Sequence, residues 1–296
     1  MAHRAFNAVF ARGVGAVLQR SKPDLVISTY PFLTYEVTQA MRRTRLHIPF
    51  AMQFADPNGV HVSWLTESNA EAAFAPTHET YNQATAAGFS AERLHLTGWP
   101  VRAQFYQQPA TIRQQVCQLL NLEPGRFTIF LQGGGEGAAK FIHTTENLLA
   151  LDNIQIILAT GTNQMIFQRF QGIANLRPIP FTKEIAPYMA AADVVMGKAG
   201  PNMLFESTTL GRPFIATTYI PGQEEVNLEF ITRHRLGWVA LNAQEQRNLL
   251  TGLINEQAKL PEMAATVASY RQWNTTATEK ILPLTQSLIE SRRLTR

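Results

Sequence analysis

The chain has 296 residues, 45% of them hydrophobic, with 26 Lys and Arg against 22 Asp and Glu for a net charge of +4. That length accommodates two domains of ordinary size, and the mildly basic balance suits an anionic partner such as a membrane surface; no nucleic-acid partner is expected. A single cysteine, Cys117, excludes an internal disulfide framework and a multi-cysteine zinc site and points to a reducing, cytoplasmic setting, while no stretch approaches the ~20 uninterrupted apolar residues that span a bilayer, so membrane contact should be peripheral.

Residues 3–20 place Phe6, Val9, Phe10, Val14, Val17 and Leu18 on one helical face, with His3, Arg4, Arg12 and Arg20 outside it. A core-packing amphipathic helix is the expectation, an interfacial membrane helix the alternative. Pro23-Asp24 leads into a strand at 25–28, and further strands are predicted at 50–54, 73–75 and 94–97, with helices at 33–44 and 77–87 between them. Strand and helix alternate, which predicts a parallel sheet. The segment from Gly98 to Arg102 ends this half, and a helix at 111–120 opens the next. A second series follows, with strands at 127–132, 155–159, 176–179, 193–196 and 213–218 and helices at 140–151, 163–170 and 185–191. Helices at 223–234, 243–256 and 261–270, a short strand at 238–240 and a last helix at 275–292 complete the chain.

Three segments gather chemistry. Gly197-Lys198-Ala199-Gly200 reads as a tight turn after a buried strand, with Pro201 as the first residue of a helix. A helix N-terminus carries roughly half a positive charge and several unpaired N–H donors, which suits a pyrophosphate. Glu206, one and a half turns further on, can accept hydrogen bonds from two ribose hydroxyls. The strand after it ends in a cluster holding Gln223, Glu224 and Asn227, whose amides and carboxylate suit sugar hydroxyls. Secondly, Gln132-Gly133-Gly134-Gly135-Glu136-Gly137 joins a strand to a helix, so backbone can approach a ligand there; an unliganded tight connection would use the same glycines. Thirdly, Asp56 to Trp64 (DPNGVHVSW) sits at the C-terminal end of a predicted strand, where α/β sites form, and includes His61, whose ordinary pKa near ~6.5 makes it a usable base. A structural histidine and a buried indole at Trp64 are the plain alternatives.

The span from Gly197 to Asn227 resembles the donor-binding signature of the family that includes plant monogalactosyldiacylglycerol synthases, bacterial processive diacylglycerol glucosyltransferases and the N-acetylglucosaminyltransferase that makes lipid II. The pattern Gly-Lys-Ala-Gly-Pro, an Ala-Glu-Ala-like segment, then Pro-Gly-Gln-Glu and Asn is met by Gly197 to Pro201, Glu206, Pro221 to Glu224 and Asn227. Two places depart from it: Asn202-Met203 stands where members usually have Gly-Thr, and Phe205 where they have a small residue. The resemblance extends over roughly residues 22–270 and implies an α/β GT-B fold, two doubly wound Rossmann-like domains facing a cleft. Residues 1–102 would form the acceptor-side domain, 103–274 the UDP-sugar domain, and 275–296 a helix crossing back to the first. The family's glycine-rich first loop, with its histidine, is not found, so the first domain reads as incomplete and a partner or upstream sequence could supply the segment.

By the same resemblance, the turn Gly197, Lys198, Ala199, Gly200, Pro201 and Asn202 would hold the diphosphate, Glu206 the ribose, backbone at Thr182 the uracil, and Gln223, Glu224 and Asn227 the sugar. The loop Gly133, Gly134, Gly135, Glu136 and Gly137 would face the donor. Asp56, His61 and Trp64 match the acceptor-side Thr-Asp-x-x-x-x-His-x-x-Trp segment, with Asp56 or His61 as base. The chain holds no Asp-x-Asp motif, and neither a metal nor another cofactor is expected. The implied function is inverting transfer of a hexose from a UDP-sugar to a lipid acceptor, diacylglycerol first among them, peripherally at a membrane. The alternatives are a UDP-sugar-binding subunit that needs a partner, a lipid II-type N-acetylglucosaminyltransferase, and a nucleotide-sugar epimerase.

Overall fold

A computed structural model describes residues 2–67, 70–133, 138–255 and 259–294. In chain order the first elements are α1 (Ala2–Ser21), β1 (Val26–Ser28), α2 (Thr34–Thr44), β2 (Phe50–Gln53), β3 (Ala72–Ala75), α3 (His78–Ala86) and β4 (Leu94–Leu96). They are followed by α4 (Ile112–Leu120), β5 (Phe127–Gln132), α5 (Ala138–Leu149), β6 (Ile154–Gly161), α6 (Gln164–Phe170), β7 (Leu176–Pro180), α7 (Ala186–Ala190) and β8 (Val194–Lys198). The remainder comprises α8 (Pro201–Thr209), β9 (Phe214–Thr218), α9 (Glu225–Arg233), β10 (Gly237–Val239), α10 (Ala243–Asn255), α11 (Lys259–Thr278) and α12 (Ile281–Leu294). The chain divides into two units, residues 1–100 with 274–296, and residues 101–273.

The first unit is built on a four-stranded parallel sheet in the order β1-β2-β3-β4. Alternating side chains point to opposite faces of a strand. Phe50, Met52, Ala73 and Ala75 accordingly join Leu18, Met41 and Phe89 in one core layer, while Ala51, Ala72 and Phe74 on the other face are covered by Leu284 and Leu288 of α12. Asn274 ties α11 to the loop after β4: its Oδ1 accepts from Trp99 N at 2.7 Å and its Nδ2 donates to Trp99 O at 3.0 Å. Gly98 lies at φ +68 against it, where a Cβ would stand 2.8 Å from Asn274 Oδ1.

The second unit carries a six-stranded parallel sheet in the order β10-β9-β8-β5-β6-β7. Its central strands are mostly apolar and buried throughout, as expected of a parallel sheet covered on both faces; Ile129, Leu131, Ile156, Leu158, Val194 and Met196 are all buried in one cluster. A carboxylate clamps the lower end of this sheet: Asp193 accepts two bonds from Arg113 of α4, at 2.8 and 3.0 Å, and one from Thr128 N at 2.7 Å. Cys117, also on α4, is buried, and that burial raises its thiol pKa. Strand order reverses between β5 and β8, which stay paired as far as Gln132 and Gly197, so the connections that leave them run to opposite sides, the place where open α/β sheets bind ligands.

Candidate functional site

Both strands that flank the reversal end at predicted site residues. β5 ends at Gln132, just before Gly133, and β8 ends at Lys198. Gly133 is needed for a reason the sequence does not state: a Cβ there would lie 2.6 Å from the ring of Phe141, which packs directly on its backbone. Gly197 is likewise hemmed in, since a Cβ there would stand 2.5 Å from Gln132 O and 2.7 Å from the Met203 methyl, and its absence lets β5 and β8 sit side by side under the turn. Gly134, Gly135, Glu136 and Gly137 lie outside the described residues.

At the turn itself most backbone donors are already used. Ala199 N donates to Thr218 O and Gly200 N to Lys198 O, each at 2.7 Å, and Pro201 has no N–H. The expectation that the whole turn presents its amides to a phosphate is therefore narrowed to the first N–H groups of α8, those of Asn202 and Met203, because the N-cap Gly200 supplies no capping side chain. Phe205, the other departure from the family pattern, points away from this turn into an aromatic cluster, 6.0 Å from Phe230 and 6.3 Å from Tyr270 between ring centroids.

Glu206 lines a cavity of about 370 Å³ together with Arg102, Gly133, Phe181 and Thr182. Its carboxylate is 18% exposed and accepts from Arg102 Nη2 at 3.1 Å. Burial raises the Glu206 pKa, and the Arg102 charge and hydrogen bond pull it partly back. Arg102 also lies over the Phe105 ring, 5.1 Å from its centroid. Gln104 fixes the loop that follows Thr182, donating to Lys183 O at 2.7 Å and accepting from Ala186 N at 3.1 Å. The sequence pattern points to neither Arg102 nor Gln104, since the segment from Gly98 to Arg102 carries only the signal of a domain end.

Beyond β9, Glu224 is buried, its side chain 6% exposed, and its two oxygens are occupied by an ion pair with Lys198 and by Ile220 N at 2.9 Å. Asn227 is also buried and donates to Ala199 O at 2.8 Å. Of the three residues expected at the sugar, only Gln223 is exposed.

In the first unit, the Asp56 carboxylate accepts from Trp64 Nε1 at 3.1 Å and from the backbone of His61. Burial raises its pKa, and those bonds oppose the rise. Trp64 itself is wholly buried, 5.5 Å from Phe54 between rings, so its side chain packs the core and is not exposed to any ligand from solvent. His61 is exposed; its Nδ1 accepts from Ser63 N at 3.2 Å, so the neutral ring carries its proton on Nε2 and offers an N–H outward. Around it lies an apolar surface: Phe32 stacks edge-on against His61 at 4.9 Å and against Tyr30 at 5.4 Å, and Tyr30, Phe32, Tyr35 and Val62 are 53%, 54%, 47% and 69% exposed. Among the described residues no three His, Cys, Asp or Glu side chains stand together as metal ligands, and no helix is long and apolar enough to cross a membrane.

Comparison with known proteins bears on the family and the fold. Residues 128–278 match the model of the glycosyltransferase family 28 C-terminal domain, and residues 2–101 that of monogalactosyldiacylglycerol (MGDG) synthase. The chain is 26% identical over 279 residues to monogalactosyldiacylglycerol synthase 3, chloroplastic, of Arabidopsis thaliana, covering 88% of this chain and 58% of that protein. The chain spans about half the length of the curated relatives it matches. Anabaena HepE in complex with UDP-glucose superposes with a TM-score of 0.61 at 16% identity, covering 93% of this chain and 82% of its own. Acinetobacter baumannii MurG superposes with a TM-score of 0.65 at 18% identity, covering 94% and 77%. Those likenesses establish the GT-B fold, with its two parallel-sheet α/β domains. With more than half of its length matched by one domain model, the chain belongs to glycosyltransferase family 28.

Proposed function

We propose that the protein is an inverting glycosyltransferase that moves a hexose from a UDP-sugar to diacylglycerol, working peripherally at an anionic membrane surface in a cytoplasmic setting. The observation that carries the reading is the partly buried Glu206 carboxylate beside the uncapped start of α8, at the reversal point of the six-stranded sheet. A carboxylate suits ribose hydroxyls and repels phosphate, whereas the helix start favours phosphate, so the pair has the polarity of a nucleoside diphosphate. The names of the curated relatives supply the lipid acceptor.

In this mechanism the acceptor hydroxyl attacks the anomeric carbon from the face opposite UDP, and the charge growing on the departing diphosphate is opposed by the Asn202 and Met203 N–H groups, a type of donor whose loss typically weakens catalysis by ~3 kcal/mol. Asp56 is the better base of the two expected. Its raised pKa favours proton capture, and a carboxylate keeps lone pairs after accepting from Trp64 and His61, whereas the His61 lone pair is engaged by Ser63. The exposed side chains of Tyr30, Phe32 and Val62 support the lipid-facing part of the reading.

A second reading, a UDP-sugar-binding chain that needs further polypeptide for transfer, is favoured by β1, an edge strand on which Ile27 is 43% exposed. Incubating the purified chain with UDP-galactose or UDP-glucose and diacylglycerol in mixed micelles separates the two. Glycolipid formed above a Glu206→Ala control supports the transferase; UDP binding without glycolipid supports the second reading; neither product nor UDP binding overturns both.

A further inference from the structure

We propose that Glu224 does not read the sugar but is a positioning residue for Lys198, holding its ammonium beside Gly200 as the side-chain cation for the donor diphosphate. The inference rests on the UDP-sugar reading above and assigns the charge that the turn's backbone does not supply. With Ala199 N and Gly200 N committed to Thr218 O and Lys198 O, two amides that the signature would offer to phosphate are spent within the protein.

Lys198 stands in their place. It is the last residue of β8, its side chain is 18% exposed, and its Nζ crosses back over the turn: a methyl group at Gly200 would lie 3.1 Å from Nζ and 3.4 Å from Glu224 Oε1. A side chain there would crowd the cation and the carboxylate that are packed against its backbone. An ammonium on a flexible four-carbon stem has three donors. Glu224 engages it on one side, which leaves donors for an anion arriving at the start of α8.

Glu224 is in turn held on several sides. It is the N-cap of α9, its Oε2 is bound by Ile220 N, and its own N–H donates to Ile220 O at 2.8 Å. Asn227, one turn along α9, anchors the same turn through Ala199 O. A side chain so enclosed, with both oxygens engaged, is poorly placed to exchange partners with sugar hydroxyls; the neighbouring Gln223 is exposed and free of that restraint.

The two roles differ in what they do to UDP without a sugar. Calorimetric titrations of UDP, UDP-glucose and UDP-galactose would be made with the wild-type protein, Glu224→Gln, Lys198→Gln and the double variant. Glutamine retains an acceptor for Ile220 N but cannot pair with an ammonium. The expected result is a loss of UDP affinity of about tenfold or more in each single variant, typical of a charge-assisted bond. The glucose-to-galactose preference should be unchanged, and the double variant should be no weaker than Lys198→Gln alone. If Glu224→Gln fails to fold, by circular dichroism, Lys198→Gln with its partly exposed side chain tests the same claim. Unaltered UDP affinity in the variants, or a changed preference between the two UDP-hexoses, overturns the inference while leaving the UDP-sugar reading standing. A wild-type protein that binds no UDP overturns that reading, and the inference with it.

Discussion

Glu206 is subject to opposed influences, since burial raises its pKa above the ordinary value of 4.5 and Arg102 lowers it. The ionised carboxylate offers both oxygens as acceptors to two hydroxyls, whereas the protonated form gives up one of them to an O–H. Because the pKa is raised, ligand binding that depends on ionised Glu206 is complete above the raised value and is lost as pH falls through it, earlier in an acid titration than for an ordinary carboxylate. UDP-glucose, a diphosphate diester without a titration of its own in this range, should show that acid limb by calorimetry. Glu206→Gln should abolish the limb and weaken binding by about tenfold to a hundredfold, and Arg102→Ala should move the limb to higher pH. An acid limb that persists in Glu206→Gln would assign the titration elsewhere. The offset of Glu206 from the turn is legible in the sequence, because three to four residues per turn fixes what a helix presents. Its partner is not: Arg102 lies 104 residues away, and only the closed fold brings it there. Gly133 illustrates a subtler failure, since the same missing Cβ serves a ligand or a packed ring, and here Phe141 fills the space.

At the scale of elements, strand signals in the sequence match every strand of the described residues to within a residue or two, most directly β5, β6 and β8, whose burial on both faces leaves mostly apolar segments. The helix α11 was less legible. Its predicted core of 261–270 extends in the structure over Lys259–Thr278, and the following helix begins only at Ile281. A buried polar residue hides the continuation: Asn274 is 1% exposed because it pairs with both backbone groups of Trp99, and a polar side chain breaks the apolar pattern that marks a packed helix. Trp64 failed in the opposite direction, since the spacing to Asp56 is right but spacing does not say which side of a loop faces inward. The edge strand β10 rests on Gly237, at φ +157, where a Cβ would fall 1.7 Å from Phe214 O. Gly237→Ala should therefore displace β10 from β9 and destabilise the protein by about 3 kcal/mol or more, seen as a lower urea midpoint; an unchanged midpoint would show that this strand end is free to move.

For the molecule as a whole, composition and length indicated two α/β domains, and the donor signature indicated the family, but no pattern in the sequence singled out the apolar surface around Phe32. Its members come from residues 30–35 and 62, and they meet only because β1 ends beside the loop that follows β2. With a net charge of +4, flotation with phosphatidylglycerol vesicles should recover the wild-type protein. Replacing Phe32 and Val62 with serine should cut the bound fraction several-fold, as expected from apolar side chains worth about 1.5–3 kcal/mol each when fully buried. Equal recovery of the variant would place the lipid contact on another surface.

The lone Cys117 gives the protein a built-in reporter. Enclosed on α4 and with its thiol shifted toward the unreactive form, it should resist maleimide dyes while the fold is intact. A cysteine introduced at position 32 could then be labelled uniquely in an otherwise native sequence, and the slow reaction of Cys117 itself would serve as a clock for how often α4 lifts from its sheet.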